Sequence, residues 1–224
     1  MCGRFVLTAN PEQIQLAFNL DAAPAQMYPR YNVAPSQPVA VITNENSAEM
    51  TFHRWGLVPS WSKDLSIGNQ LINARAETAA KPSFKNALKR RRCLIPANGF
   101  YEWPQKGKNP MYVHLEGGEV FAFAGLWEIW RDPDGGEIRT CTILTTEPND
   151  FIKTFHHRMA VILPESHYET WLHAGELSHA EALAALQPVS ADRMRAYEVS
   201  KAVNNVAYDS PECIAPFVDP GLLL

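Results

Sequence analysis

Met111-Tyr112-Val113-His114-Leu115, Val120-Phe121-Ala122-Phe123-Ala124-Gly125-Leu126-Trp127 and Arg139-Thr140-Cys141-Thr142-Ile143-Leu144-Thr145 are three consecutive runs dense in β-branched and aromatic residues. Such side chains suit a pleated, half-buried surface. Glu116-Gly117-Gly118 and Asp132-Pro133-Asp134-Gly135-Gly136 join the runs as turns. Upstream, Arg92–Trp103 reads as strand, bend, strand, with Pro96 and Gly99 breaking the run. Val39–Thr43 and Met50–Trp55 form a further strand pair around Asn44-Glu45-Asn46-Ser47. Tyr31–Pro35 reads as an extended loop, Trp55–Trp61 as a loop with two large aromatics, and Tyr197–Lys201 as a final strand.

Helical signals decorate the ends. Asn10-Pro11-Glu12-Gln13 supplies an N-cap, a first-turn proline and a capping-box partner, with Ile14, Leu16, Ala17, Phe18 and Leu20 as the apolar face. Ser83–Lys89, Pro148–Lys153, Pro164–Leu172 and Ala180–Leu186 also read as helices, the last with a Ser178…Glu181 capping box. No repeat, low-complexity tract or linker interrupts the chain. The expected fold is a single α+β domain over residues 1–224, with a core at about 2–206 and a C-terminal tail at 207–224. Its centre is a largely antiparallel, barrel-like β core flanked by helices.

The 224 residues are 46% hydrophobic, with 20 basic residues against 24 acidic ones, which is ordinary for a soluble globular protein. No apolar run has membrane-spanning length and no signal peptide opens the chain. Cys2, Cys93, Cys141 and Cys213 are far apart, so neither a disulfide framework nor a zinc site is expected, and a reducing cytoplasm is the default. The net charge of −4 hides a basic stretch: Lys81, Lys85, Lys89, Arg90, Arg91 and Arg92. That stretch reads equally as a positive face for a nucleic acid or as a solvated helix end.

Chemistry concentrates first at Cys2. A residue this small lets Met1 be removed, which would place a free amine beside a thiol. Both titrate near neutrality, at about 7.7–8.0 and about 8.5. Together they can convert an aldehyde to a Schiff base and then to a five-membered thiazolidine. In Asn73-Ala74-Arg75-Ala76-Glu77, Asn73 can donate and accept, while Arg75 can hold phosphate or pair with Glu77 or Glu102. In Gly99-Phe100-Tyr101-Glu102-Trp103, Glu102 is a proton shuttle if it points inward, and the outward residue of an edge strand if not. In Phe155-His156-His157-Arg158-Met159, two adjacent histidines on an extended chain point apart, so one at most serves a given site. One His as acid/base with Arg158 as an anion contact competes with a structural histidine. No i,i+4 ligand pattern supports a metal, and no glycine-rich phosphate loop is present.

Taken in order, these segments resemble the SRAP family of SOS-response-associated peptidase, or abasic-site processing, proteins. The resemblance rests on Met1–Phe5, Arg30-Tyr31-Asn32-Val33-Ala34-Pro35, Trp55–Trp61, Asn73–Thr78, Arg92–Trp103, His156–Met159 and Val199–Asn204, and spans Cys2 to about Val206. It implies an abasic-site sensor and shield in single-stranded DNA. After Met1 removal, Cys2 would form a covalent thiazolidine crosslink with the sugar aldehyde by lyase-like Schiff-base chemistry. It also implies Glu102 as proton shuttle, Asn73 holding the opened sugar, and His156 assisting proton transfer and crosslink reversal. The word peptidase would describe autocatalytic release of Met1. Arg4, Arg75 and Arg158 would meet phosphates, and Trp61 with Pro35 and Asn32 would stack on or wedge unpaired bases. Ser62 stands where some relatives carry a second aromatic, and Ala160 where relatives often carry proline. The expectation is a cytoplasmic monomer acting on abasic single-stranded DNA, nucleoid-associated if bacterial, with no cofactor, metal or membrane. Two rivals remain: an N-terminal-nucleophile amidohydrolase using Cys2, and a noncatalytic single-stranded-DNA-binding module.

Overall fold

The longest apolar runs form the longest strands. The computed structural model describes residues 2–25, 27–104, 109–132, 134–173 and 175–218. Its strands are β1 (Phe5–Leu7), β2 (Arg30–Val33), β3 (Pro38–Thr43), β4 (Met50–Trp55), β5 (Asn73–Arg75), β6 (Arg92–Ala97), β7 (Gly99–Glu102), β8 (Met111–Leu115), β9 (Phe121–Arg131), β10 (Glu137–Thr146), β11 (Met159–Ala160), β12 (Ile162–Leu163) and β13 (Met194–Glu198). The α-helices are α1 (Pro11–Phe18), α2 (Lys85–Arg90), α3 (Tyr168–Leu172) and α4 (His179–Ala185).

Five strands close on themselves. β4, β3, β6, β9 and β10 pair antiparallel in that order, and a parallel β10–β4 contact joins the ends. Closure removes the open edges of these strands. The ring is the barrel-like core expected from the sequence, and β5, β11 and β12 attach to its rim. A second sheet, in the order β13-β8-β7-β1-β2, lies against the barrel. The two sheets share an aromatic core. Phe5 packs on Trp55 and Phe123 at ring distances of 5.2 and 6.0 Å, and Phe100 meets Phe123 at 5.9 Å. Each such buried ring contributes roughly 1.5–3 kcal/mol.

Local signals set the ends of several elements. Asn10 and Gln13 form the reciprocal cap of α1, each side chain accepting the other's backbone N–H at 2.8 Å. Ser178 and Glu181 do the same at α4. The strand break falls at Asn98 rather than at Pro96, which lies inside β6. β6 pairs with β3 at Cys93 and Leu94, before the proline, so the ladder on that side does not call on the missing Pro96 N–H. Asn98 Oδ1 accepts from Thr8 N and Ala9 N and ties the bend to the end of β1. Gly99, the first residue of β7, leaves room for the Tyr112 ring, which would lie 2.5 Å from a Cβ there.

Three expectations are corrected. Tyr31–Pro35 is not wholly loop, since β2 takes its first residues. Pro148–Lys153 is not a helix. Asn149 Oδ1 captures Ile152 N–H at 2.9 Å, and only a 3₁₀ turn at Ile152–Thr154 follows. The last strand runs over Met194–Glu198, ahead of the expected Tyr197–Lys201, because its partner is β8 and Ser200 then caps a 3₁₀ turn at Lys201–Asn204.

The basic stretch is largely paired. Lys89 and Arg90 bridge to Glu176, and Arg91 bridges to Glu128. Arg92 is wholly buried and donates to the carbonyls of Leu88, Lys89, Trp171, His173 and Gly175. It ties α2 and α3 to the barrel wall. No helix among the described residues is long and apolar enough to cross a membrane.

Candidate active site

Strand register places Glu102 beside Cys2. β1 runs antiparallel to β7, with Phe5 opposite Phe100, and Tyr101 N–H donates to Arg4 O at 3.0 Å. The chain before β1 therefore lies along the end of β7. Along β7, Phe100 and Glu102 share one face, and Phe100 packs into the barrel core. Glu102 thus points inward, which resolves the two orientations open in the sequence. It is 2% exposed, and burial pushes its carboxyl from 4.5 up to about 7. Cys2 is wholly buried. Its thiol is pushed well above the ordinary value, first by burial and then by the neighbouring Glu102 charge. Such a thiol stays protonated, and a carboxyl titrating near neutrality is a suitable acceptor for its proton.

Asn73 reaches the same place from the barrel. Trp55 Nε1 donates to Ile72 O at 2.8 Å and fixes the approach to β5. β5 then runs parallel to β10, with Asn73 opposite Ile143. Asn73 Nδ2 donates to Cys2 O at 2.8 Å. Its Oδ1 is buried and has no hydrogen-bond partner among the described residues. An acceptor left in that state costs about 1–3 kcal/mol, which an incoming donor would recover.

His156 lies beyond the 3₁₀ turn at Ile152–Thr154, before β11. The two histidine rings do not point apart: they stack at 4.3 Å, because the backbone is turning here rather than extended. His156 Nδ1 lies 3.0 Å from Arg158 N and 3.1 Å from Arg158 O. A neutral ring accepts from the first, and a protonated ring donates to the second. The imidazole therefore has a partner in both protonation states. Burial lowers its proton affinity. Among the described residues, no group of three or more His, Cys, Asp or Glu gathers as a metal site.

The residues expected to meet DNA divide into two sets. Trp61 is 61% exposed at the Pro59–Ser62 turn, Arg75 is exposed, and Pro35 is half-buried beside Ser36, whose φ is 70°. Arg158 and Asn32 differ. Arg158 is buried, grips both Glu77 oxygens at 2.9 Å and donates to Thr145 O at 2.8 Å. That fork holds the Glu77 carboxyl below its ordinary value although burial alone would raise it. Glu77 is thus the partner of Arg158, where the sequence offered Arg75. Asn32 is wholly buried and bonded inside the fold. In this structure neither is a surface contact. Arg4 is half-buried, donates to Asn32 Oδ1 at 2.6 Å and to Val203 O at 2.8 Å, and lies 5.9 Å over the Trp103 ring. Trp103 was given no role from the sequence. It is partly exposed beside Glu102, and its Nε1 donates to Asn204 Oδ1 at 2.8 Å. An aromatic directly after an inward acid was the available signal.

Known proteins resemble this chain in sequence and fold. "Abasic site processing protein YoqW" of Bacillus subtilis (strain 168) is 45% identical over 221 residues, covering 96% of this chain and 99% of that protein. "Abasic site processing protein HMCES" of Gallus gallus is 32% identical, covering 84% of this chain and 66% of that protein. A crystal structure of a protein from Bacteroides thetaiotaomicron superposes with a TM-score of 0.84 at 27% identity, covering 97% of this chain and all of that one. Residues 1–206 match the family described as SOS response associated peptidase (SRAP). The ordered motifs, the barrel and these likenesses agree, and the chain belongs to the SRAP family.

Proposed function

We propose that this protein processes abasic sites, and that it does so by covalent capture in single-stranded DNA. The observation that carries the reading is the meeting of three groups: a buried Cys2, the Glu102 carboxyl pushed to about 7, and Asn73 bonded to the Cys2 carbonyl. Relatives named abasic site processing proteins supply the substrate class.

With Met1 removed, the Cys2 amine attacks C1′ of the ring-opened sugar. The carbinolamine loses water to give a Schiff base. The thiol then adds to the same carbon and gives up its proton, while the nitrogen keeps the hydrogen it carried in the protonated Schiff base. Aldehyde and aminothiol become thiazolidine and water, with nothing oxidised or reduced. Glu102 delivers the proton to the departing hydroxyl and takes it from the thiol. Asn73, whose Oδ1 has no hydrogen-bond partner among the described residues, accepts from a hydroxyl of the opened sugar. His156 moves the proton needed for reversal. Release of Met1, by the chain itself, is the peptidase step. Arg4, Arg75, Pro35 and Trp61 meet the strand, while Arg158 and Asn32 hold the surrounding loops. The protein acts as a monomer in the cytoplasm.

The test is incubation with a uracil-excised single-stranded oligonucleotide, followed by denaturing electrophoresis and intact mass. The expected product is the chain lacking Met1 plus the oligonucleotide minus one water. Cys2→Ala should abolish it and leave weak, salt-sensitive binding. Capture by a chain that retains Met1 would overturn the mechanism. Glutamine hydrolysis without capture would favour an amidohydrolase.

A further inference from the structure

Asp209 lies three positions past residue 206, the last residue matched to the family. It reaches back to β2, the outer strand of its sheet. Its Oδ1 accepts from Tyr31 N at 2.5 Å and Asn32 N at 3.1 Å, and its Oδ2 accepts from Arg30 Nε at 2.5 Å. The carboxylate thus stands where a neighbouring strand would stand, and satisfies an edge that has no other strand of the described residues beside it.

Two chains of hydrogen bonds leave this carboxylate. The first runs through Asn32. Its Nδ2 lies within 3.1 Å of the carbonyls of Val203, Asn205 and Tyr208, so the amide can face only one way. Its Oδ1 therefore faces Arg4 Nη1, at 2.6 Å. The Arg4 carbonyl in turn accepts from Tyr101 N and faces Cys2 Sγ at 3.8 Å. The second chain runs through Arg30. Its Nη2 donates to Gln37 Oε1 at 2.7 Å, and the same oxygen accepts from Ala34 N at 3.1 Å. That bond closes the turn carrying Pro35 and Ser36.

We propose that Asp209 is a positioning residue for abasic-site capture. Through Asn32 it fixes Arg4 and the backbone around Cys2. Through Arg30 and Gln37 it fixes the Pro35 turn. The inference rests on the reading of Cys2 as the trap. It extends the working site into the segment after residue 206, with Asp209 itself touching no reacting atom. Displacing a reacting group by about 1 Å can slow a reaction on the order of a hundredfold, so an anchor at this remove can still govern rate.

The experiment measures capture rate at saturating abasic oligonucleotide and, separately, affinity for an intact oligonucleotide of the same sequence. Wild type, Asp209→Ala and Asp209→Asn are compared well below their melting temperatures. Asp209→Ala removes both chains and should slow saturated capture about tenfold or more while weakening affinity. Asp209→Asn keeps an acceptor for Tyr31 and Asn32 but loses the charge opposite Arg30. It should keep a near-normal saturated rate and lose affinity. A brace that only stabilises the fold would lower the melting temperature and leave both readouts of the folded protein unchanged. That result overturns the proposal. If Asp209→Ala does not fold, the rate-against-affinity split in Asp209→Asn decides alone, and its absence overturns the proposal. Wild type that forms no adduct sinks the reading of Cys2 and this inference with it. Wild type that captures, beside an Asp209→Ala that captures equally fast, sinks the inference only.

Discussion

Replacing Glu102 with glutamine tests whether burial is what tunes this carboxyl. Glu102 is pushed from 4.5 to about 7, chiefly by loss of hydration. The raised value means that between these pH values the folded chain holds a proton the unfolded chain has released. Stability therefore falls as pH rises through this window, and this group contributes no further change outside it. At about 1.4 kcal/mol per pH unit, the displacement corresponds to about 3 kcal/mol of folding free energy. Glu102→Gln keeps the shape and carries no titrating proton. Urea unfolding of both chains at pH 4.5, 6 and 8 should show wild type losing about 3 kcal/mol relative to the variant across the series. Capture should move the other way. The wild-type rate at saturating oligonucleotide should bend near pH 7, and the variant should be slower by about 10²–10⁴-fold with no bend. Stability curves that stay parallel would show that burial does not hold the proton on Glu102. An unchanged rate profile would remove Glu102 from the mechanism.

Arg92→Met should destabilise the fold by more than about 3 kcal/mol in urea unfolding, because five backbone carbonyls lose a shared donor. A loss below about 1 kcal/mol would mean that water replaces the guanidinium there. Trp61→Ala should leave stability within about 0.5 kcal/mol. The same change should weaken single-strand affinity by about 1–3 kcal/mol, measured by fluorescence anisotropy; destabilisation with normal affinity would make Trp61 a packing residue. His156→Ala should leave adduct formation nearly unchanged and slow release of preformed adduct, followed by chase with excess unlabelled oligonucleotide. Normal release would assign that proton transfer elsewhere.

Features carried by neighbouring residues were legible in the sequence. The Asn10–Gln13 and Ser178–Glu181 caps need only a three-residue spacing, and both formed. The runs of β8, β9 and β10 declare themselves by composition and by the turns between them. Pro96 misled because a proline is tolerated where its missing N–H faces no ladder acceptor, and the end of the β3 pairing at Cys93 and Leu94 is not visible from the strand itself. Glu102 could be singled out but not oriented, since strand alternation gives two faces and no sign. Arg158 looked like a phosphate ligand because its partner Glu77 lies 81 positions away. Asn32 sat in a motif, but the three carbonyls that bury it come from a segment about 170 residues later. Long-range pairing of polar groups decides such cases, and composition alone does not encode it.

The barrel is sealed by a parallel contact between β4 and β10, and β5, which carries Asn73, pairs with β10. Cys2, β5 and β7 are all synthesised before β10, the strand on which β5 and Asn73 lie, begins at Glu137. On the proposed mechanism, an unfinished polypeptide would carry an unconfigured nucleophile, and half-made copies would be kept from seizing DNA. Stalled nascent chains ending before residue 137 should yield no oligonucleotide adduct, and adduct on such chains would show that the reactive terminus needs no barrel. Because the contact that closes the barrel joins segments far apart in sequence, synthesis itself would then act as the safety catch on a single-use reagent.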